Sequence, residues 1–277
     1  MTDRYAVIGH PVAHSKSPMI HAWFARQTGQ DMSYEKILAP LDGLAATVQA
    51  FVRAGGRGMN VTLPFKQEAS RLASRLSERA RLAAAVNTLV FDGSDIFGDN
   101  TDGIGLVRDI RSNLGRNIVG QRILLLGAGG AARGVMLPLL QDHPEQLVIA
   151  NRTAYKALDL AGEYAGFSPR PQGCALVDLN GRSFDIVINA TSAGLTDSAL
   201  DLPSGLFAPN CLAYDMLYGK DTPFMRQARS AGAAIADGLG MLVEQAAEAF
   251  LLWRGVCPDT APLLRELQAE LQHSGAP

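Results

Sequence analysis

Residues Arg122–Ala132 read R-I-L-L-L-G-A-G-G-A-A, a short apolar strand that runs straight into a glycine turn. No other segment restricts the fold as much. Gly127 permits a tight bend, Gly129 removes the Cβ that would keep a pyrophosphate off the main chain, and Ala132 lets the next helix lie close to the strand. That helix, expected from about Gly130 to Leu140, aims its free N–H groups and positive dipole end at the phosphates. Gly127, Ala128, Gly129, Gly130 and Ala131 are therefore candidate cofactor contacts. Glycine-rich turns are common, so the flanking pattern has to decide.

The following strand, Leu147–Ala150, ends at Asn151-Arg152-Thr153, and Asn151 lies 24 residues after Gly127. A site built for NAD usually has Asp or Glu near this point to accept the ribose 2′-hydroxyl. An acid would repel a 2′-phosphate, whereas Arg152 grips one with a planar, permanently charged fork. Lys156, one turn into the next helix, adds a second positive charge. The bland alternative makes Arg152 an ordinary solvated residue. Strand end, spacing and charge together favour NADP, held by Asn151, Arg152, Thr153 and Lys156.

From Gly120 onward, strands and helices alternate. Expected strands are Ile123–Leu126, Leu147–Ala150, Ala175–Asp178, Asp185–Asn189, Leu212–Met216 and Ala233–Ala236, with helices such as Ala154–Ala165 and Pro223–Ser230 between them. Such units build a parallel sheet covered on both faces, a Rossmann-type doubly wound domain. Loops after its strands, Asn189–Gly194 and Asp215–Tyr218, become candidate site segments. The upstream part also alternates. Tyr5–Ile8, Tyr34–Leu38 and Gly58–Thr62 read as strands and Leu44–Arg53 as a helix. Another helix opens at Ser17-Pro18, with Ser17 as its cap, and closes at Gly29. Thr88–Phe91 and Asp95–Gly98 read as a hairpin around Asp92-Gly93-Ser94. A helix from Thr101 to about Leu114 follows, and Leu239–Trp253 and Pro262–Gln272 end the chain as amphipathic helices. The expected class is α/β with two domains. Residues 1–102 form an α/β substrate and catalytic domain and 103–238 bind NADP. Helices in 239–277 pack back on the first domain.

The chain has 277 residues, 47% of them hydrophobic, and a formal net charge of −2. That balance gives no electrostatic case for nucleic acid or an anionic membrane. No apolar run is long enough to span a bilayer, and Met1–Arg4 leads directly into a strand without a signal-peptide core, so the expected location is cytoplasmic. Cys174, Cys211 and Cys257 are scattered, and His10, His14 and His21 lack an accompanying ligand pattern. Neither a disulfide framework nor a metal site is expected.

Four polar clusters interrupt the apolar pattern upstream. His14-Ser15-Lys16-Ser17-Pro18 offers hydroxyls and helix N–H groups suited to a carboxylate, or merely a cap. Asn60–Lys66 runs from a strand end through Pro64 to Lys66, which by itself is more simply a solvated charge. Val86-Asn87-Thr88 opens a strand. Gly98–Gly103 puts Asp102 in the first turn of a helix, where an acid commonly just complements the dipole.

Taken together and in order, these clusters resemble the shikimate dehydrogenase family. The matching segments are Gly9-x-Pro11-Val12-x-His14-Ser15-x-Ser17-Pro18, Gly58-x-Asn60-Val61-Thr62-x-Pro64-x-Lys66, Ala85-Val86-Asn87-Thr88 and Asp99-Asn100-Thr101-Asp102-Gly103-x-Gly105. Gly127–Ala131, Asn151-Arg152-Thr153, Asn189–Ser192, Tyr214-Asp215-Met216-x-Tyr218 and Gly238-x-Gly240-Met241-Leu242-x-x-Gln245 continue the match along the whole chain. Ala84 departs from it, because the family often has glycine there; an alanine should be tolerable at that position, at the cost of a tighter turn.

The resemblance implies reversible, NADPH-dependent reduction of 3-dehydroshikimate to shikimate, a step toward chorismate and the aromatic amino acids. It implies that Ser15 and Ser17, aided by Tyr218, bind the substrate carboxylate. Thr62, Asn87 and Gln245 contact the same substrate, and Lys66 and Asp102 form the catalytic pair against it. Glu78, Thr191, Met216, Gly238 and Met241 fall to the cofactor side, although a surface helical glutamate is the plain alternative for Glu78. The residue types suit hydride transfer to a carbonyl, because negative charge grows on oxygen and a proton must follow. Lys66 is expected to stabilise that oxygen and donate the proton while Asp102 orients it. A monomer or homodimer is expected. Rival readings are an NAD-dependent quinate/shikimate dehydrogenase, which Arg152 disfavours, and a nicotinamide-binding sensor without catalysis, which the retention of both Lys66 and Asp102 disfavours.

Overall fold

The computed structural model describes residues 2–274. They separate into two units, one formed by residues up to Gly105 together with those from Leu242 onward, the other by Leu106–Met241.

The first unit is built on β1 (Asp3–Gly9), α1 (Ser17–Thr28), β2 (Met32–Leu38), α2 (Leu44–Arg53), β3 (Gly56–Val61), α3 (Lys66–Leu72), β4 (Arg75–Leu76), α4 (Glu78–Ala83), β5 (Thr88–Asp92) and β6 (Asp95–Asp99). Its sheet order is β2-β1-β3-β5-β6-β4. Strands β1, β2 and β3 run parallel and the β5–β6 hairpin is antiparallel. Burial follows position in the sheet. β1 is buried through its last five residues, as a strand covered on both faces must be, while β2 at the edge alternates. Ile8, Met59, Val61, Phe65, Val86 and Leu89 form the centre of the core.

The second unit carries β7 (Arg122–Leu126), α6 (Gly130–Gln141), β8 (Gln146–Asn151), α7 (Ala154–Glu163), β9 (Gln172–Ala175), β10 (Phe184–Asn189), β11 (Phe207–Asp215), α8 (Pro223–Ser230) and β12 (Ala234–Ala236). All its pairings are parallel, in the order β12-β11-β10-β7-β8-β9. That is the doubly wound dinucleotide order, with its reversal between β7 and β10. Helix α5 (Asp102–Arg108) contains the first crossing between units and α9 (Leu239–Arg254) the second; α10 (Ala261–Ser274) ends the chain.

Several local expectations need correction. The strand expected over Ala175–Asp178 is a 3₁₀ turn at Leu176–Leu179, and the strand lies earlier, over Gln172–Ala175. Asp178 closes the turn by accepting the Ala175 N–H at 2.9 Å, and Gly173 fits β9 against the α7 backbone, where a Cβ would lie 2.4 Å from the Ala157 carbonyl oxygen. Ser17 is not the cap of α1. Lys16 holds that position, and Ser15 Oγ accepts the Ser17 N–H at 3.2 Å. The helix expected to reach Leu114 changes at Asp109 into a π-helical turn through Asn113. There Asp109 is buried, accepting Tyr214 O–H at 2.6 Å, and leaves no room for a side chain at Gly240. The two-residue strand β4 was not expected from sequence.

Candidate active site

In the first unit, strand ends bring polar side chains together inside an apolar frame. Lys66 begins α3 after the turn that follows β3, and Asp102 begins α5 after β6. Lys66 Nζ donates to Asp102 Oδ2 at 2.6 Å, with the lysine side chain 22% exposed and the carboxylate 9%. The other oxygen, Asp102 Oδ1, accepts from Asn87 Nδ2 at 2.7 Å. Asn87 Nδ2 also lies 3.3 Å from Gln245 Oε1, which reaches the cluster from α9, while Gln245 Nε2 donates to the Leu242 carbonyl at 2.9 Å. Four residues expected to act on one substrate, Lys66, Asn87, Asp102 and Gln245, are thus adjacent.

The loop before Asp102 is braced from behind. Arg79 forks onto Asp99 at 2.7 and 2.6 Å and extends to Glu248 at 2.9 Å. Asp99 in turn accepts the Asn100 N–H at 2.7 Å, and Asn100 Oδ1 accepts the Asp102 N–H at 3.1 Å. A buried carboxylate held by a bidentate guanidinium and a backbone N–H is a rigid support. Ser15 and Ser17 share a hydrogen bond of 3.1 Å at the start of α1. Thr62 lies just past β3 over Gly9, where a Cβ would stand 2.4 Å from the threonine methyl. Glu78 is exposed in the first turn of α4, a place that complements the helix dipole.

Asn60, Thr88 and Thr101 belong to the same buried cluster and carried no role in the sequence reading. The signal available for them was polarity: Asn60 sits between apolar Met59 and Val61 in β3, and Thr88 opens β5 ahead of the apolar Leu89-Val90-Phe91.

In the second unit, the glycine turn has the geometry its composition implies. Gly127 adopts φ 106°, and a Cβ there would press on Ala190 O at 3.2 Å, so the turn sits against the end of β10. Gly129 caps α6, and a Cβ at Gly129 or Gly130 would meet nothing within 4 Å. Open space before twelve residues of helix, with no acid in the first turn, fits a pyrophosphate. Arg152 and Lys156 are exposed after β8, and Asn151 Nδ2 donates to Thr153 O at 3.0 Å, shaping that bend. Thr191 is fixed by Asn189 Oδ1, which accepts its N–H at 3.1 Å and its hydroxyl at 2.7 Å. Gly238 packs against the Met216 carbonyl, 2.3 Å from where a Cβ would be, and Met241 is buried at the start of α9. Burial, and next the Asp237 carboxylate, raise the Tyr218 phenol above its ordinary pKa, which keeps it a proton donor. The open glycine turn before α6 and the exposed Arg152 and Lys156 after β8 have the chemistry to take the pyrophosphate and 2′-phosphate of NADP.

Comparison with known proteins agrees along the chain. Residues 7–89 match the shikimate dehydrogenase substrate binding domain, 109–196 the shikimate/quinate 5-dehydrogenase family, and 238–268 the shikimate 5′-dehydrogenase C-terminal domain. Shikimate dehydrogenase (NADP(+)) of Dechloromonas aromatica is 62% identical over 98% of this chain and 99% of its own. An enzyme structure from Pseudomonas putida superposes with a TM-score of 0.91 at 52% identity, covering 96% of this chain and 98% of that one. Shikimate 5-dehydrogenase of Thermus thermophilus, solved with NADP(H) and shikimate, gives 0.85 at 36% identity over 95% and 98%. The chain belongs to the shikimate dehydrogenase family.

Proposed function

We propose that this chain interconverts 3-dehydroshikimate and shikimate with NADP(H), and that the Lys66–Asp102 pair carries the proton chemistry. The supporting observation is the unbroken run of hydrogen bonds that links Lys66 to Asp102, Asp102 to Asn87 and Asn87 to Gln245. Bound NADPH supplies the hydride. Lys66 stabilises the oxygen on which charge grows and delivers the proton, the neutral amine taking it back in the oxidative direction. Asp102 holds the ammonium in place through Oδ2. Asn87, Gln245 and Thr62 position the ring hydroxyls.

Ser15 and Ser17 bind the substrate carboxylate with the protonated Tyr218 phenol. Arg152, with Lys156, Asn151 and Thr153, takes the 2′-phosphate, and Gly127–Ala131 take the pyrophosphate. Thr191, Met216, Gly238 and Met241 complete the cofactor side, to which Glu78 is also assigned. Residues 1–102 and 239–277 form the substrate side and 103–238 the NADP side. The proposal includes a cytoplasmic monomer or homodimer acting without nucleic acid; no helix among the described residues is long and apolar enough to cross a membrane.

Initial rates with shikimate and with quinate, each with NADP and NAD, test the reading. Shikimate with NADP should be the fastest combination. Equal efficiency with NAD would remove the role given to Arg152, and preference for quinate would reassign the substrate.

A further inference from the structure

We infer that His21, Tyr34, Asn60 and Thr88 form a buried chain of donors that positions the Asp102 carboxylate beside Lys66. The inference rests on the reading of Lys66 and Asp102 as the reacting pair.

The sense of each bond is fixed by groups that allow no alternative. Asn60 is 6% exposed. Its Nδ2 faces the Asn87 carbonyl oxygen at 3.3 Å, and a carbonyl only accepts. Asn60 Oδ1 therefore faces Tyr34 O–H at 2.7 Å and His21 Nε2 at 3.2 Å, and both donate to it. The proton of His21 consequently sits on Nε2. Its Nδ1 has no partner among the described residues, and the ring is stacked on Tyr34 with centroids 4.4 Å apart and planes at 11°. Burial draws the imidazole pKa down to about 3, so this neutral tautomer persists through the working pH range.

Asn60 Nδ2 also donates to Thr88 Oγ1 at 3.2 Å, which leaves the threonine proton for Asn87 Oδ1 at 2.9 Å. The backbone N–H of Thr101 donates to the same Asn87 oxygen at 2.9 Å and fixes that amide the same way round. Asn87 Nδ2 is then turned to Asp102 Oδ1 at 2.7 Å. The successive donors all point toward the carboxylate, and in a buried chain each bond polarises the next. Asn87 occupies Oδ1, and Oδ2 is left to Lys66.

A merely structural network would be satisfied by these bonds without affecting turnover, so the test separates the two roles. Thr88→Val keeps the shape and removes the hydroxyl link. Its kcat should fall about tenfold, the scale of one buried hydrogen bond, because Asp102 is then held less firmly for Lys66. NADPH affinity by fluorescence titration should be unchanged, and Thr88→Ser should restore the rate. Adding Tyr34→Phe to Thr88→Val should cost little more, because links in series do not multiply their losses. By NMR, the Asn87 side-chain amide proton facing Asp102 should move upfield in Thr88→Val, a readout that needs no substrate. A normal kcat in Thr88→Val, an unmoved Asn87 signal, or multiplicative losses in the double variant would overturn the chain. Failure of the underlying reading shows separately, as unaltered protein that does not oxidise shikimate while the Asn87 signal still responds.

Discussion

At Lys66 the surroundings do more than supply a charge. The ammonium rests 2.6 Å from a carboxylate whose second oxygen is already occupied by Asn87, so both groups are held ready. Lys66→Ala should lower kcat by about 10²- to 10⁴-fold, the range for a lost acid–base group, and change KM for shikimate much less. A near-normal kcat with a greatly raised KM would make Lys66 a binding residue only. Arg152 is the corresponding decision on the cofactor side. Its removal should raise KM for NADPH about tenfold or more, the scale of a charged hydrogen bond, and leave the reaction with NADH unchanged. Arg152 stood out in the sequence as a positive charge at a strand end, at a set spacing from the glycine turn. Lys66 alone read as a solvated charge and took its expected role only from the ordered resemblance of its neighbours. The roles of Asn60 and Thr88 were not legible. Their meaning lies in partners on other strands, and sequence spacing carries no information on which amide faces which hydroxyl.

Among the elements, the short helix α4 shows a local departure with a measurable effect. Ser77 caps its start by accepting the Ala80 N–H at 3.1 Å, and Ala84 ends it in the left-handed region at φ 50°. A Cβ in that region is strained, and glycine is not. Ala84→Gly should therefore raise stability by about 0.5–1 kcal/mol in denaturant unfolding, since relief of strain exceeds the added chain entropy. No gain would mean that the surroundings have already absorbed the strain. The long periodic elements were readable because their apolar spacing is repeated many times. β9 was not, because Ala175-Leu176-Val177 is too short an apolar run to separate strand from turn. The closing bond from Asp178 decides that segment. The displaced cap of α1 has a similar origin: with serines at both 15 and 17, only geometry shows which hydroxyl serves the helix.

For the whole molecule, His21 ties stability to pH. Its pKa is lowered by burial to about 3 from an ordinary 6.5. The unfolded chain therefore binds a proton below about pH 6.5 that the folded chain refuses until about pH 3. The contribution of neutral His21 is fully present above that window and is lost as pH falls through it, at a slope of up to about 1.4 kcal/mol per unit. Unfolding curves between pH 7 and 4 should show this decline, and His21→Phe, which keeps the ring but cannot take a proton, should flatten it. An unchanged slope in the variant would assign the decline to carboxylates such as Asp3 and Asp185, which their arginine partners hold below the usual range.

The path of the chain through its two units also sets an order of completion. The unit that begins first, with β1, still lacks the segment from Leu242 when the last residue of the other has been made. That late segment brings Trp253, which donates to the Leu89 carbonyl at 3.0 Å, and Arg254, which holds Gln30 at 2.8 Å. On the ribosome the second unit can close on itself while the first waits, although folding commonly proceeds from the N-terminus. A nascent chain that has emerged through about residue 241 would thus hold every residue of the second unit while the first still lacked its closing segment, leaving the early strands without the Trp253 and Arg254 contacts.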